Sequence, residues 1–405
     1  VAAIISPVSV LGSQSPKLKA LPPLSLYIHI PWCLKKCPYC DFNSHEIRGD
    51  GSHALEEEYV AALIRDLEST LSDVWGRRLS SVFFGGGTPS LFSAKAIDTI
   101  LTAVRTLLPL EHFAEVTMEA NPGTFEAQKF ADFRAAGINR LSIGIQSFNP
   151  QHLKALGRVH DDQEAYRAVE IALKNFDNIN LDLMYALPGQ TLAEAQADIE
   201  TACTQGVTHI SAYHLTLEPN TLFHRFPPNL PDDEQASAMQ DMIEQITASH
   251  QYRNYETSAF AGSGKESRHN MNYWLFGDYL GIGAGAHSKI SFADKIVRQM
   301  RFKQPKEYLV KAGAGESLVQ TQQILTPEDR GFEFMMNALR LTGGFETSVF
   351  LERTGLPITA VQKQLDEAEQ RGLLVHDRHR IKPTVLGRRF LNDLLQIFLP
   401  ETNPK

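Results

Sequence analysis

The sequence predicts an α/β fold: a partial barrel of six strand–helix units, followed by a smaller winged-helix-like module. Two observations predict the barrel. From about residue 25 to 216, short β-like runs alternate with amphipathic helical patterns, which calls for a parallel sheet with helices outside. The polar and glycine-rich residues gather at the carboxyl ends of successive runs, as they do where an α/β barrel builds a site. A third observation, a fresh helix start at Thr326, sets off the last module.

The six runs are SLYIHI, SSVFF, AEVTME, RLSIGI, INLDLMYAL and THISAYHLTL. They are expected to be buried on both faces and so to read as nearly continuous apolar strands. Between the first two, Leu55, Tyr59, Leu63, Leu67 and Leu71 recur every fourth residue and predict one buried helical stripe. Ile97, Ile100, Leu101, Val104 and Leu108 predict the second helix. Later helices are expected over roughly 124–136, 161–175, 191–205 and 233–250. An open doubly wound sheet shares this alternation, but its switch-point site would draw on fewer strands. The expected division is an N-terminal arm (1–24), the barrel (25–250), an extension (251–325) and the winged-helix-like domain (326–400). The extension holds HNMNYW (269–274) and GIGAGAHS (281–288). The last domain opens on Thr326-Pro327-Glu328-Asp329, an N-cap, a first-turn proline and an acidic first turn, and its first helix is expected to stop at Gly343-Gly344.

Composition narrows the function. Hydrophobic residues make up 43% of the 405, enough for a sizeable core. A formal net charge of −8 argues against a dedicated nucleic-acid binder. The best recognition-helix candidate, AVQKQLDEAEQRG, carries Asp366, Glu367 and Glu369, which would repel phosphates. No run of about 18 apolar residues predicts a membrane span. The opening VAAIISPVSV lacks a basic flank and reads as an arm rather than a signal peptide. GIGAGAHS lacks the βα unit and following acid of a dinucleotide fingerprint and reads as a tight loop.

Three of the four cysteines lie within PWCLKKCPYCDF: Cys33, Cys37 and Cys40, spaced C-x3-C-x2-C. Three clustered thiols make no disulfide framework, and point to a reducing, cytoplasmic setting with a metal or redox role. Structural zinc wants four ligands, usually two separated pairs, and Cys203 is placed in a distant helix. A thioredoxin-type pair leaves one thiol over. Closely spaced loop thiolates suit an iron–sulfur cluster. Three ligands on a four-iron cluster leave one iron open.

C-x3-C-x2-C after a first strand resembles the radical S-adenosylmethionine (SAM) superfamily. YIHIPWC, FFGGGTPS, MEANPGT, RLSIGIQSFN, LGRVH and DLMYALPGQT, in this order, resemble its oxygen-independent coproporphyrinogen III oxidase branch. The resemblance covers about residues 25–390. It implies a 4Fe-4S cluster held by Cys33, Cys37 and Cys40, with SAM chelating the fourth iron. The hard chemistry is then the cofactors', and the protein positions them. By the same resemblance Tyr27, Gly86, Gly87, Thr88, Glu119, Gln146, Arg158 and Asp182 bind SAM. Gly86 and Gly87 would let backbone reach its methionine end, though a strand-to-helix turn also favours glycine. Glu119 would pair with the ammonium or the ribose hydroxyls, and the Arg158 fork suits a carboxylate.

The oxidase motif continues with a fourth cysteine two residues on; here that position is Phe42. This departure weighs against oxidase activity. It matches a sister group, the HemW heme chaperones, which bind heme and pass it to other proteins, especially membrane-bound respiratory ones. H-N-x-x-Y-W resembles that group's heme motif, and His269 would supply an imidazole to the iron. Implied partners are heme, heme-accepting proteins and an electron donor, with no nucleic acid.

Overall fold

The structure, a computed structural model, describes residues 18–47, 53–124 and 127–400. Most of the expected arm lies outside that range. From Leu18 the chain leads into strand β1 (Leu24–Ile30), and the barrel follows as α1 (His53–Val74), β2 (Leu79–Gly86), α2 (Ala94–Leu107), β3 (Leu110–Ala120), α3 (Ala127–Ala136), β4 (Arg140–Gln146), α4 (Asp162–Asn175), β5 (Ile179–Tyr185), α5 (Leu192–Thr204), β6 (His209–His214) and α6 (Asp233–Ser249). Strands β1 to β6 neighbour one another in chain order and run parallel. Such an order has no switch point. Every right-handed crossover puts its helix on the same side, which is the barrel solution expected from the sequence.

The strands differ from the expected apolar runs, and the difference builds the site. Leu26, Ile28 and Ile30 of β1, Val116 and Met118 of β3, and Ile143 and Ile145 of β4 are buried in the core beneath the helices. The residues between them are polar: Ser25, Tyr27 and His29; Glu115, Thr117 and Glu119; Ser142 and Gly144. Side chains alternate across a strand, so one face packs on helices and the other forms a polar inner face. Each helix is amphipathic to match. Tyr59, Leu63 and Leu67 of α1, and Ile97, Ile100, Leu101 and Val104 of α2, are buried. Asp161 and Thr191 start α4 and α5 with reciprocal capping boxes.

The chain from 251 to 325 extends this sheet at both edges. β7 (Arg253–Glu256) and β8 (Ala259–Ala261) add antiparallel strands beyond β6. Helix α7 (Arg268–Trp274) then crosses to the other side, where β9 (Asp278–Ile282) pairs parallel with β1. β10 (His287–Ser291), β11 (Ile296–Arg301), helix α8 (Pro305–Ala314) and β12 (Val319–Ile324) complete a sheet of twelve described strands.

The last module runs α9 (Pro327–Ala338), a short strand at Phe345–Glu346, α10 (Thr347–Thr354), α11 (Gln362–Gln370), the hairpin β13 (Leu374–His376) and β14 (Arg380–Pro383), and helices α12 (Val385–Arg389) and α13 (Leu391–Gln396). Helices α9 to α11 with a three-stranded sheet give the winged-helix-like arrangement, and α12 and α13 follow it. Thr326 caps α9 as expected, but the helix ends at Ala338 and a turn carries the chain to Gly344. Phe334, Phe345, Phe350 and Leu365 form the module's core, which also takes in Phe276 from the turn after α7 and Ile296 from β11. Among the described residues no helix is long and apolar enough to cross a membrane.

One buried ion pair joins the sheet extension to the barrel. Asp66 of α1 meets Arg301 Nε at 2.9 Å, both side chains fully buried. Its second oxygen accepts from Tyr308 Oη at 2.8 Å and from the Gly283 N–H at 3.0 Å. Removing one partner of such a pair leaves a buried charge uncompensated. Asp66→Ala is expected to destabilise the fold by about 3–5 kcal/mol, read as a lowered denaturant midpoint at unchanged m-value.

Candidate functional site

Strand β1 runs straight into the cysteine loop. Trp32–Cys33 and His45–Glu46 pair as two short parallel strands, closing the loop between them. The base of the loop is fixed from three sides. His29 Nε2 lies 2.9 Å from the Asn43 carbonyl. Asn43 Nδ2 donates to the carbonyls of Ala284 and Lys303, both at 2.9 Å. Tyr59 Oη, from α1, donates to the His29 carbonyl at 2.8 Å. The glycine loop at 281–286 is therefore a buttress. A Cβ on Gly283, whose φ is +102°, would stand 2.5 Å from the His29 carbonyl oxygen.

Cys33, Cys37 and Cys40 are all unpaired and half-buried. Each thiol has a polar neighbour at 3.6 Å: Thr88 Oγ1 for Cys33, Arg158 Nη1 for Cys37 and Ser44 Oγ for Cys40. Burial pushes the Cys33 thiol up, against the opposing Thr88 hydrogen bond. Among the described residues no three His, Cys, Asp or Glu close up into a site for a single metal ion. Three thiols on one loop suit a cluster, where each thiolate takes a different iron. Cys203 stays away in the barrel core, its thiol pushed up to about 11 by burial.

The ends of the next strands close on this loop. A Cβ on Gly87 would stand 2.5 Å from the Trp32 carbonyl oxygen, so glycine is needed here for close chain packing. Gly87 and Thr88 donate backbone N–H groups to Ile30 and Trp32. The Gly86 N–H donates to Glu119 Oε2 at 3.1 Å. Tyr27 Oη lies 3.0 Å from His29 Nδ1 on the same inner face. Gln146 closes β4 with φ +69°, one of the few non-glycine residues in that region, and the strand is bulged beside it. Strained backbone of this kind gathers at functional sites. Arg158 reaches in from the turn after a short helix, donating to Asn121 Oδ1 at 2.6 Å and to the Gly144 carbonyl at 2.8 Å.

Sequence reasoning had no role for Asn121. Its Nδ2 donates to Thr88 Oγ1 at 2.8 Å, so it links the glycine strand to Arg158. Its place in Asn-Pro at a strand's carboxyl end was the available signal.

Asp182 accepts from Ser142 Oγ and Asn180 Nδ2, both at 2.8 Å. Burial pushes its carboxyl up against those hydrogen bonds. Burial also pushes Glu119 up to about 8, with Asp182 adding to the rise and the Gly86 N–H opposing it. Two carboxyls reluctant to ionise thus share the inner face, where a cation would relieve both. Thr117 Oγ1 and Arg158 Nε are buried there without a hydrogen-bond partner. These groups fit SAM, which brings ammonium and sulfonium charges, a carboxylate and hydroxyls; bound to a reduced cluster, it supplies one-electron carbon–sulfur cleavage. The chain's own part is to orient it and exclude competing chemistry.

His269 lies elsewhere. Helix α7 crosses the opposite end of the inner face, with its first amides capped by Glu115: the His269 N–H donates at 3.1 Å and the Arg268 N–H at 3.2 Å. His269 Nδ1 meets Ser81 Oγ at 2.9 Å, and its ring lies 4.9 Å from the Phe83 ring. Burial, helped by Arg140, holds the imidazole down at about 3, so it is neutral. Asn272 Nδ2 adds a 2.9 Å bond to Ser25 Oγ.

The raised Glu119 has a measurable consequence. Its folded pKa exceeds the unfolded value, so the folded chain holds the extra proton between about pH 4.5 and 8. Without ligand, stability is expected to fall as pH rises through that window, by up to about 1.4 kcal/mol per pH unit. Glu119→Gln is expected to flatten this slope in urea titrations at stepped pH.

Comparison with known proteins agrees with this architecture. The radical SAM superfamily matches residues 27–202, and the HemN C-terminal domain matches residues 325–390. The fold is similar to that of coproporphyrinogen III oxidase (HemN) from Escherichia coli, a radical SAM enzyme, with TM-score 0.79 at 23% identity over 95% of this chain and 91% of that one. The heme chaperone HemW of Escherichia coli strain K12 is 47% identical over 94% of this chain and 99% of its own length. The heme chaperone HemW of Bacillus subtilis strain 168 is 34% identical over 93% and 99%. Full-length likeness at this level places the chain in the HemW family of the radical SAM superfamily.

Proposed function

We propose that this protein is a heme chaperone: it binds heme, passes it to acceptor proteins, and carries a 4Fe-4S cluster that coordinates SAM. One observation carries this reading above tetrapyrrole decarboxylation. Phe42, 60% exposed, stands where the oxidase motif has a fourth cysteine. The relatives named as heme chaperones match the chain from end to end, which supports the cargo.

In this reading Cys33, Cys37 and Cys40 ligate the cluster. Tyr27, Gly86, Gly87, Thr88, Glu119, Gln146, Arg158 and Asp182 serve SAM, with Glu119 and Asp182 toward its positive groups. Gly86 and Gly87 act through their backbone, which the cysteine loop already crowds. His269 serves the heme through α7, the helix that it seats. Expected partners are heme-accepting proteins, membrane-bound respiratory enzymes among them, and an electron donor. A cytoplasmic location goes with this reading.

The test is anaerobic reconstitution with iron and sulfide, followed by heme titration. A Soret shift that saturates, without decarboxylation of coproporphyrinogen III, is the expected result; turnover of that substrate would replace this reading with the oxidase one. Cys37→Ala is expected to lose the cluster's visible absorbance while the far-ultraviolet circular dichroism stays native. His269→Ala is expected to weaken heme binding several-fold and to leave the cluster's spectrum unchanged.

A further inference from the structure

Helix α7 has two working faces. His269 looks onto the barrel's inner face. Met271, two residues on and so about 200° around the helix, lines a groove on the other side. That groove, about 800 Å³ in volume, opens between β7, α7 and the β13–β14 hairpin. Its size falls in the range of about 300–1,000 Å³ common for small-molecule sites.

Five cationic side chains line it: Arg253, Arg268, Arg380, Lys382 and Arg388. Glu266 is the one carboxylate among the lining residues, and Arg253 holds it at 2.8 Å. Arg388 faces Glu244 at 3.7 Å. Arg268 and Arg380 donate to the Phe113 and Gly343 carbonyls, and neither forms an ion pair among the described residues. On a chain of net charge −8 this is a local excess of the opposite sign.

Between the cations the lining is mixed, with Asn254, Thr342 and Thr384 beside apolar side chains. Met271 contributes, half-buried, with Val375 and Val385 left 52% and 61% exposed; Leu341, 3% exposed, lies beneath them. The walls are tied together. Thr342 donates its N–H to the Tyr255 carbonyl at 3.1 Å and its hydroxyl to the Asn254 carbonyl at 2.8 Å. Arg388 Nη1 donates to Asn254 Oδ1 at 3.1 Å. The groove is therefore pre-formed rather than made by domain closure.

We propose that this groove is the cargo site: heme lays its apolar macrocycle on Met271, Val375 and Val385, and Arg268, Arg380 and Lys382 take its two carboxylates. Charge-assisted hydrogen bonds to carboxylate are the strong kind, and apolar walls supply the rest. The proposal rests on the heme-binding reading above and adds the place. It makes His269 a positioning residue: pinned to Ser81, it sets the helix whose far face meets the ligand.

Heme is titrated into the full-length protein, into Arg380→Glu/Lys382→Glu, into Lys382→Glu alone and into His269→Ala. Heme dimethyl ester serves as a second probe, with the same ring and iron but without free carboxylates. The double reversal is expected to raise the heme Kd about tenfold or more at low salt, with cluster absorbance and melting temperature unchanged. Lys382→Glu, at an exposed side chain, should show the same direction if the double variant folds poorly. The ester should bind wild type and reversed variant with equal weakness. In His269→Ala the Soret maximum should stay in place while affinity falls. Unchanged heme affinity in both reversals would overturn the groove, as would ester binding as tight as heme. A shifted Soret maximum in His269→Ala would overturn it too, by making His269 an iron ligand on the inner face. Transfer of the reversal's effect from heme to anionic lipid vesicles would do the same. Absence of heme binding by wild type removes the chaperone reading itself, and this site with it.

Discussion

Six parallel strands in chain order deliver their carboxyl ends to one rim, and the rest of this protein depends on that constraint. The thiol loop leaves β1, the triple glycine ends β2, Glu119 closes β3, Gln146 ends β4 and Asp182 lies in β5. These groups are separated by up to 149 residues of sequence, from Cys33 to Asp182, yet their neighbours touch. Thr88 bonds Asn121, Asn121 bonds Arg158, and Arg158 reaches Cys37. Such a site needs no long loops, because the sheet itself sets the spacing.

The same geometry places polar groups where water cannot easily reach them, and the structure satisfies most of them in pairs. Asn180 shares its oxygen between His209 Nδ1 at 2.6 Å and the Ser211 hydroxyl at 3.0 Å, and Tyr255 Oη completes the histidine at 2.9 Å. Burial drives the His209 imidazole well down, so the ring is a neutral bridge. Glu115 is consumed in capping α7. At the rim the pairing is incomplete, with Thr117 Oγ1 and Arg158 Nε left over. Buried polar atoms without partners are costly, and Arg158 Nε, on the side chain that reaches Cys37, is one that a ligand at this rim would satisfy.

The chain after residue 250 repurposes the edges of the sheet. β9 pairs beside β1, and the loop after it buttresses the cysteine loop through Asn43. β7 instead runs along the far edge and meets the C-terminal module through Thr342. Between these two edges α7 closes the lower end, so the HNMNYW stretch touches the barrel, the sheet extension and the last module at once. Trp274 stacks under Arg340 at 4.5 Å, and Tyr273 lies 4.9 Å from the Tyr279 ring. A helix so placed can couple what happens on one face to the other.

The sequence alone determined the strand–helix alternation, the three thiols and their loop, the rim residues and the start of the last module at Thr326. Those features are local: a period of hydrophobicity, a spacing, a cap. The polar inner face was written in the same residues but misread, because Ser25, Tyr27 and His29 interrupt the apolar run without breaking its average. Which side of α7 faces the barrel, that Asn121 joins Thr88 to Arg158, and that five cations share one groove were decided only in three dimensions. Arg253 and Arg388 are 135 positions apart, and no periodicity reaches that far; only the pairing of sheet edge and module brings such charges together.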